Sequence, residues 1–112
     1  MNLKCLSVHI GSQILDHKPY QKMLNVLDRL IKKMDFKFEY IDLGGGMGIN
    51  YGENNQRLNY KKYSNQIDKF VKKNKVKVIF EPGRSIIGNT GYLLTKIISL
   101  SLKKKVMILL SF

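Results

Sequence analysis

The sequence predicts an α/β fold built on parallel strands, and three observations carry that expectation. Short apolar runs alternate with amphipathic helical runs in the order βαβαβ. The units recur at roughly 34 to 38 residues, the size of one strand–helix repeat. Each of the first three strands ends in residues unusual for a plain turn: His9-Ile-Gly-Ser, Gly44-Gly-Gly-Met-Gly and Glu81-Pro-Gly-Arg. The repeats share no sequence similarity, so the repetition is architectural. Such units imply right-handed crossovers between strands.

The first strand is expected over Leu3 to His9. Asp16 is a candidate N-cap for the next helix, with Pro19 in its first turn, where a missing N–H costs little. Tyr20, Met23, Leu24, Leu27, Leu30, Ile31 and Met34 then recur at helical spacing. Lys22, Asn25, Asp28, Arg29, Lys32 and Lys33 take the opposite face, which predicts an amphipathic helix over about 18–34. Phe38 to Leu43 reads as a second strand running into the glycine run. A second helix is expected over Tyr60 to Lys73, with Tyr60, Tyr63, Ile67, Phe70 and Val71 on its apolar face. Val76 to Phe80 is the third strand, and Tyr92 to Leu102 reads as a further one.

A chain of 112 residues suits one small domain or a piece of a larger one. Its 44% hydrophobic and 25% charged residues argue against disorder. The net charge of +12 invites a nucleic-acid reading. The basic residues are nearly all lysines, however, scattered in small clusters, and arginine stands only at Arg29, Arg57 and Arg84. Alanine is absent while Lys, Asn and Ile abound, so AT-rich coding explains much of the charge, and no nucleic-acid partner is expected. Cys5, the single cysteine, excludes an internal disulfide and is expected as a small core residue of the first strand. The first residues lack the apolar stretch of a signal peptide, and no apolar run approaches the ~20 residues of a membrane span. A cytoplasmic location with no membrane partner is the expectation.

In parallel α/β folds the carboxyl ends of the strands lie on one face, so the three strand-end segments should converge. The glycine run lets backbone N–H groups approach an anion. It fits neither G-x-G-x-x-G nor G-x-x-x-x-G-K, so it suggests a phosphate cradle or simply a tight turn, not a dinucleotide or ATP site. Glu81, directly after an apolar strand, either pairs with Arg84 at the surface or serves chemistry. A carboxylate facing a pyridine nitrogen keeps that nitrogen protonated, and a protonated pyridine is an electron sink. Arg84 could then hold a phosphate or a substrate carboxylate. The ring of His9 could stack on an aromatic cofactor while Ser12 donates to a phosphate. A metal role is not expected, because His17 shares no register with His9.

The segments "HIGSQI", "DLGGGMGINY" and "FEPGRSIIGNTGYLL", in this order and spacing, resemble the diaminopimelate decarboxylase family over about residues 3 to 98. That family belongs to the alanine-racemase-like, fold-type III pyridoxal-phosphate decarboxylases. Ornithine and arginine decarboxylases share the scheme, but Ser-Gln-Ile after Gly11 and Ser-Ile-Ile-Gly-Asn after Arg84 look more like the diaminopimelate branch. The resemblance implies a (β/α)8 TIM barrel, of which this chain would supply later strands, with pyridoxal 5′-phosphate as cofactor. It implies that His9 stacks on the pyridoxal ring, and that Ser12 and the backbone of Gly44, Gly45 and Gly46 bind the phosphate. It assigns Glu81 to the pyridine nitrogen, with Pro82, Gly83 and Arg84 completing the cofactor-binding segment and Arg84 also meeting the substrate. The implied reaction converts meso-diaminopimelate to L-lysine and CO2, in an enzyme whose site draws on two subunits of a homodimer.

Where the family pattern stops matters too. Its Schiff-base lysine lies on an earlier strand, and no lysine here stands in a matching motif. The expectation is therefore a fragment that is inactive alone, or else a non-catalytic pyridoxal-phosphate-binding module. Residues 1–98 would be the partial barrel domain. Residues 99–112 would be an atypical tail, since "SLSLKKKVMILLSF" replaces the family's usual continuation. A frameshift in the tract at Lys103-Lys105, or a truncation, would produce that ending. Open strand edges and an uncovered sheet face predict marginal stability or self-association.

Overall fold

The structure, a computed structural model, describes residues 3–34, 37–52, 56–102 and 106–111. Strands β1 (Cys5–Ser7), β2 (Tyr40–Asp42) and β3 (Lys77–Ile79) form a parallel sheet in the order β1-β2-β3. Helix α1 (Lys18–Lys33) connects the first two strands and α2 (Tyr60–Asn74) the second pair. This is the expected parallel α/β arrangement, in the form of a barrel segment.

The register puts residues in rows across the sheet. Leu6, Ile41 and Val78 align in one row and face the helices. Ile41 is fully buried, and burying such a side chain stabilises the fold by about 1.5–3 kcal/mol. The neighbouring rows, Cys5–Tyr40–Lys77 and Ser7–Asp42–Ile79, point to the opposite face. No helix covers that face among the described residues, so Cys5 is exposed and not a core residue. Period-two alternation gives the core position to Leu6 instead.

The two helices pack through α1 residues Tyr20, Met23, Leu24 and Leu27 and α2 residues Tyr63, Ile67 and Phe70. The Tyr20 and Tyr63 rings lie 4.5 Å apart between centroids. Leu30 and Tyr60, expected on the apolar faces, are 40% and 53% exposed, because the packed stripe is narrower than the sequence stripe. Asp28 is drawn between the helices, where Lys73 and Lys32 bridge it at 2.8 and 3.2 Å. These cations hold its carboxyl below the usual range.

His17, and not Asp16, occupies the N-cap position of helix α1, without a side-chain capping bond, and Pro19 sits in the first turn as expected. Asp16 lies one position earlier, where its carboxylate accepts from the Lys18 N–H at 3.1 Å, an Asx turn in place of a cap. Helix α2 is capped by Asn59, which accepts from the Lys62 N–H at 2.9 Å. All three strands are shorter than the apolar runs, since pairing stops where the chain turns into the loops.

Two features were not foreseen. A four-residue helix, α3 (Arg84–Ile87), follows β3 directly. The apolar run from Tyr92 yields a strand only from Lys96, and that strand does not join the parallel sheet. Strands β4 (Lys96–Leu102) and β5 (Val106–Ser111) pair antiparallel in a separate two-stranded sheet. Their connection is too short for a parallel crossover, which needs a dozen or more residues. Residue 98 thus lies within β4, and the Lys103-Lys105 tract falls outside the described residues.

Candidate functional site at the carboxyl ends of the strands

The first loop leaves β1 at Val8, whose N–H still donates to the Asp42 carbonyl at 2.9 Å. The chain then loops out and returns at Ile14, which forms a parallel bridge to Met47. Ile14 donates to the Gly46 carbonyl at 2.9 Å and accepts from the Gly48 N–H at 3.0 Å. His9 to Gln13 is therefore an excursion held at both ends by β2 and its continuation. Gly11 turns it with φ +127°, and Gln13 adopts a left-handed φ of +59°.

The second loop is the glycine run. Gly44 and Gly46 have φ of +63° and +88°. A Cβ on Gly44 would lie 2.7 Å from His9 Nδ1. A Cβ on Gly45 would run into the Glu81 carbonyl oxygen, and one on Gly46 into the Gly11 carbonyl oxygen. The glycines are thus the points where the three loops touch. Two of their N–H groups are taken: Gly44 donates to Asp42 Oδ1 at 2.8 Å and Gly45 to His9 Nδ1 at 3.3 Å. The Gly46 N–H joins no hydrogen bond among the described residues.

The third loop follows β3. Glu81 N–H donates to the Gly44 carbonyl at 2.9 Å, which ties it to the glycine run. The Glu81 side chain is exposed, and no ion pair joins it to Arg84. Arg84 turns instead toward the first loop, where its Nη1 donates to Gln13 Oε1 at 3.5 Å. A Cβ on Gly83 would meet nothing within 4 Å.

The structure thus brings all three predicted segments together at one edge. His9 presents an exposed imidazole whose Nδ1 accepts from the Gly45 N–H. Ser12 is exposed, and its hydroxyl engages nothing among the described residues. Sequence reasoning missed three supports. Asp42 accepts from both Gly44 N–H and Ser7 Oγ, the latter at 3.2 Å, and so fixes the start of the glycine run. Tyr20 donates its hydroxyl to the Gly45 carbonyl at 3.4 Å, and burial pushes its pKa up to about 12, so the donor stays neutral. Gln13 is the third; its partners lie far along the chain, and nothing in the local pattern marks it.

Chemically, the edge offers an open hydroxyl, an open backbone N–H and a guanidinium for an oxyanion. It adds a flat exposed ring and an exposed carboxylate. This set fits a phosphorylated aromatic group: Ser12, Gly46 and Arg84 could hold the phosphate, His9 the ring, and Glu81 a basic ring nitrogen. Among the described residues no group of histidine, cysteine or carboxylates could hold a metal ion.

Fold and edge together define a segment of a parallel α/β barrel whose binding loops follow its strands. Residues 1–88 match the family described as "Pyridoxal-dependent decarboxylase, pyridoxal binding domain". The chain belongs to that family. It is 37% identical over 102 residues to a diaminopimelate decarboxylase of Aquifex aeolicus, covering 86% of this chain and 24% of the relative. A crystal structure of diaminopimelate decarboxylase from Helicobacter pylori complexed with L-lysine superimposes with a TM-score of 0.66 at 28% identity, over 97% of this chain and 28% of that one. The Methanocaldococcus jannaschii diaminopimelate decarboxylase in complex with L-lysine gives 0.65 at 33% identity, over 91% and 26%. The chain therefore spans about a quarter of the length of the relatives it matches. No helix among the described residues is long and apolar enough to cross a membrane.

Proposed function

We propose that this chain carries the cofactor-binding part of a pyridoxal-5′-phosphate-dependent carboxy-lyase of lysine biosynthesis, acting on meso-2,6-diaminopimelate to give L-lysine and CO2. The observation that carries the reading is the mutual bracing of three loops at one sheet edge, in a chain similar to proteins named diaminopimelate decarboxylase. Residues 1–98 form the cofactor-binding unit in this reading, and residues 99–112 lie outside it. The complete enzyme is a cytoplasmic homodimer with no nucleic-acid or membrane partner.

Bound pyridoxal phosphate supplies a protonated pyridine that accepts the electron pair left when the carbon–carboxylate bond breaks. Glu81 keeps the pyridine nitrogen protonated by its negative charge. His9 stacks on the ring face, with its Nδ1 held by the Gly45 N–H so that the plane is fixed. Ser12 donates to the phosphate. Because the Gly44 and Gly45 N–H groups are already engaged, Gly46 is the backbone donor of the run best suited to join it. Gly83 keeps side-chain bulk away from the phosphate, Pro82 fixes the backbone that leads into it, and Arg84 meets the phosphate or the substrate carboxylate. No residue of the chain is assigned as the covalent lysine, so the 112 residues alone bind cofactor without turnover.

The test is titration of the purified chain with pyridoxal 5′-phosphate, followed by absorbance, then assay of CO2 release from meso-diaminopimelate. Saturable binding that inorganic phosphate competes away is the expected result. Absence of binding would remove the cofactor reading, and CO2 release by the chain alone would overturn the assignment of inactivity. Sequencing the flanking DNA should reveal an upstream strand ending in a candidate Schiff-base lysine. Cofactor binding with unrelated flanking sequence would favour the non-catalytic module.

A further inference from the structure

Gln13 makes contacts that neither a tight turn nor the cofactor reading calls for. Its Nε2 donates to the Ile49 carbonyl at 2.6 Å, and its Oε1 accepts from the Ile49 N–H at 3.4 Å. One side-chain amide thus pairs with both backbone groups of a residue 36 positions away, as a neighbouring strand would. The same Oε1 accepts from Arg84 Nη1, 71 positions away. Backbone packing reinforces the link: a Cβ on Gly48 would lie 2.8 Å from the Gln13 carbonyl carbon. Ile49 in turn seats its side chain against Gly88, at the end of the helix that Arg84 begins. Gln13 holds this position from a left-handed backbone conformation, which is unfavourable for a non-glycine residue. Strain of this kind persists where the surroundings over-determine it.

We infer that Gln13 is a positioning residue: its amide locks the first loop to the segment after the glycine run and aims the Arg84 guanidinium at the oxyanion. The carbonyl oxygen is the decisive atom. It is the one acceptor that Arg84 engages among the described residues, and it fixes one edge of the guanidinium while the remaining N–H donors stay available. Ile49 fixes the amide orientation, because flipping it would place donor against donor and acceptor against acceptor. The inference rests on the reading of Arg84 as the anion contact.

The test replaces Gln13 with Asn, which tolerates the left-handed backbone but is one methylene too short for both partners. Gln13→Gly, with no backbone penalty, is the second variant should Asn perturb folding. In the ligand-free chain, exchange of the Ile49 amide should accelerate about tenfold, and the Arg84 Nε–H resonance should move. Affinity for pyridoxal 5′-phosphate should fall about tenfold, the scale of one hydrogen bond to a charged group, while affinity for unphosphorylated pyridoxal changes less than about twofold. In an Arg84→Ala background the Gln13 substitution should have no further effect on either ligand. Independent, multiplying effects of the two substitutions would overturn the inference, as would equal losses for both ligands. If the unaltered chain binds neither ligand, the cofactor reading fails by itself. The two ligand-free signals then decide the clamp: both changed supports it, and either unchanged overturns it.

Discussion

Placing a methyl group on Gly45 tests the bracing of the loops most directly. Gly45 has no left-handed φ, so Ala is conformationally allowed and the cost is steric alone. The new Cβ would meet the Glu81 carbonyl oxygen, whose own residue is tied to Gly44 by a 2.9 Å backbone hydrogen bond. The clash cannot be relieved by a flexible side chain; the end of β3 must move away from β2. Overpacking of this kind costs about 1–3 kcal/mol. With a urea m-value of about 1.5 kcal/mol/M, a loss of about 2 kcal/mol lowers the unfolding midpoint by roughly 1.3 M. Gly91→Ala is the matched control, because its Cβ would meet nothing within 4 Å, and it should stay within about 0.5 kcal/mol of the parent chain. Urea melts of the three chains, followed by circular dichroism, give the comparison. A Gly45→Ala midpoint equal to that of Gly91→Ala would refute the claim that the loops bear on each other at this glycine.

Other substitutions probe the supports. Asp42→Ala leaves the Gly44 N–H without its acceptor and should destabilise by about 1–2 kcal/mol, with Asp42→Asn milder, measured by the same melts. Tyr63→Phe should leave stability unchanged or raise it by up to about 1 kcal/mol, since its buried hydroxyl has no partner among the described residues; a clear loss in thermal melting would refute this. The Asp28 carboxyl is depressed by its lysine partners, so its stabilisation is complete above the unfolded-state value and is lost as pH falls through the folded one. Asp28→Asn should therefore flatten the acid limb of a stability–pH profile and lower stability near neutrality. Tyr20 behaves oppositely. Its pKa is raised to about 12 by burial, so the neutral-state advantage is full below ~10 and is lost as pH climbs from ~10 to 12, and Tyr20→Phe should soften alkaline unfolding.

The two long helices were legible because each must bury one stripe, and periodicity records that demand directly in Tyr20, Met23, Leu24 and Leu27. The convergence of His9, Gly44–Gly46 and Glu81–Arg84 was legible for a different reason: parallel strands leave their carboxyl ends on one side, so abrupt strand ends could be read as neighbours. Cys5 was misplaced because a three-residue strand has too few positions for its alternation to announce which face is covered. The β4–β5 pairing was hidden for want of turn chemistry, since the apolar runs around the lysine tract read equally well as a strand and a tail. Gln13 and Asp42 escaped because their partners are set by the third dimension. The polar residues of "HIGSQI" look alike until the chain is folded.

Each bond that joins the loops closes a large circle of chain. His9 reaches Gly45 across 36 residues and Gln13 reaches Arg84 across 71. Closing such circles costs conformational entropy before any contact returns it, and contacts of this separation form late on a folding route. While the chain is still emerging during synthesis the edge is incomplete: until Arg84 and the end of β3 have been made, the glycine run rests only on the first loop, Asp42 and the Tyr20 hydroxyl. Competence to bind would appear in one step, at the end of folding, which makes the first bound ligand a stopwatch for the completion of the sheet.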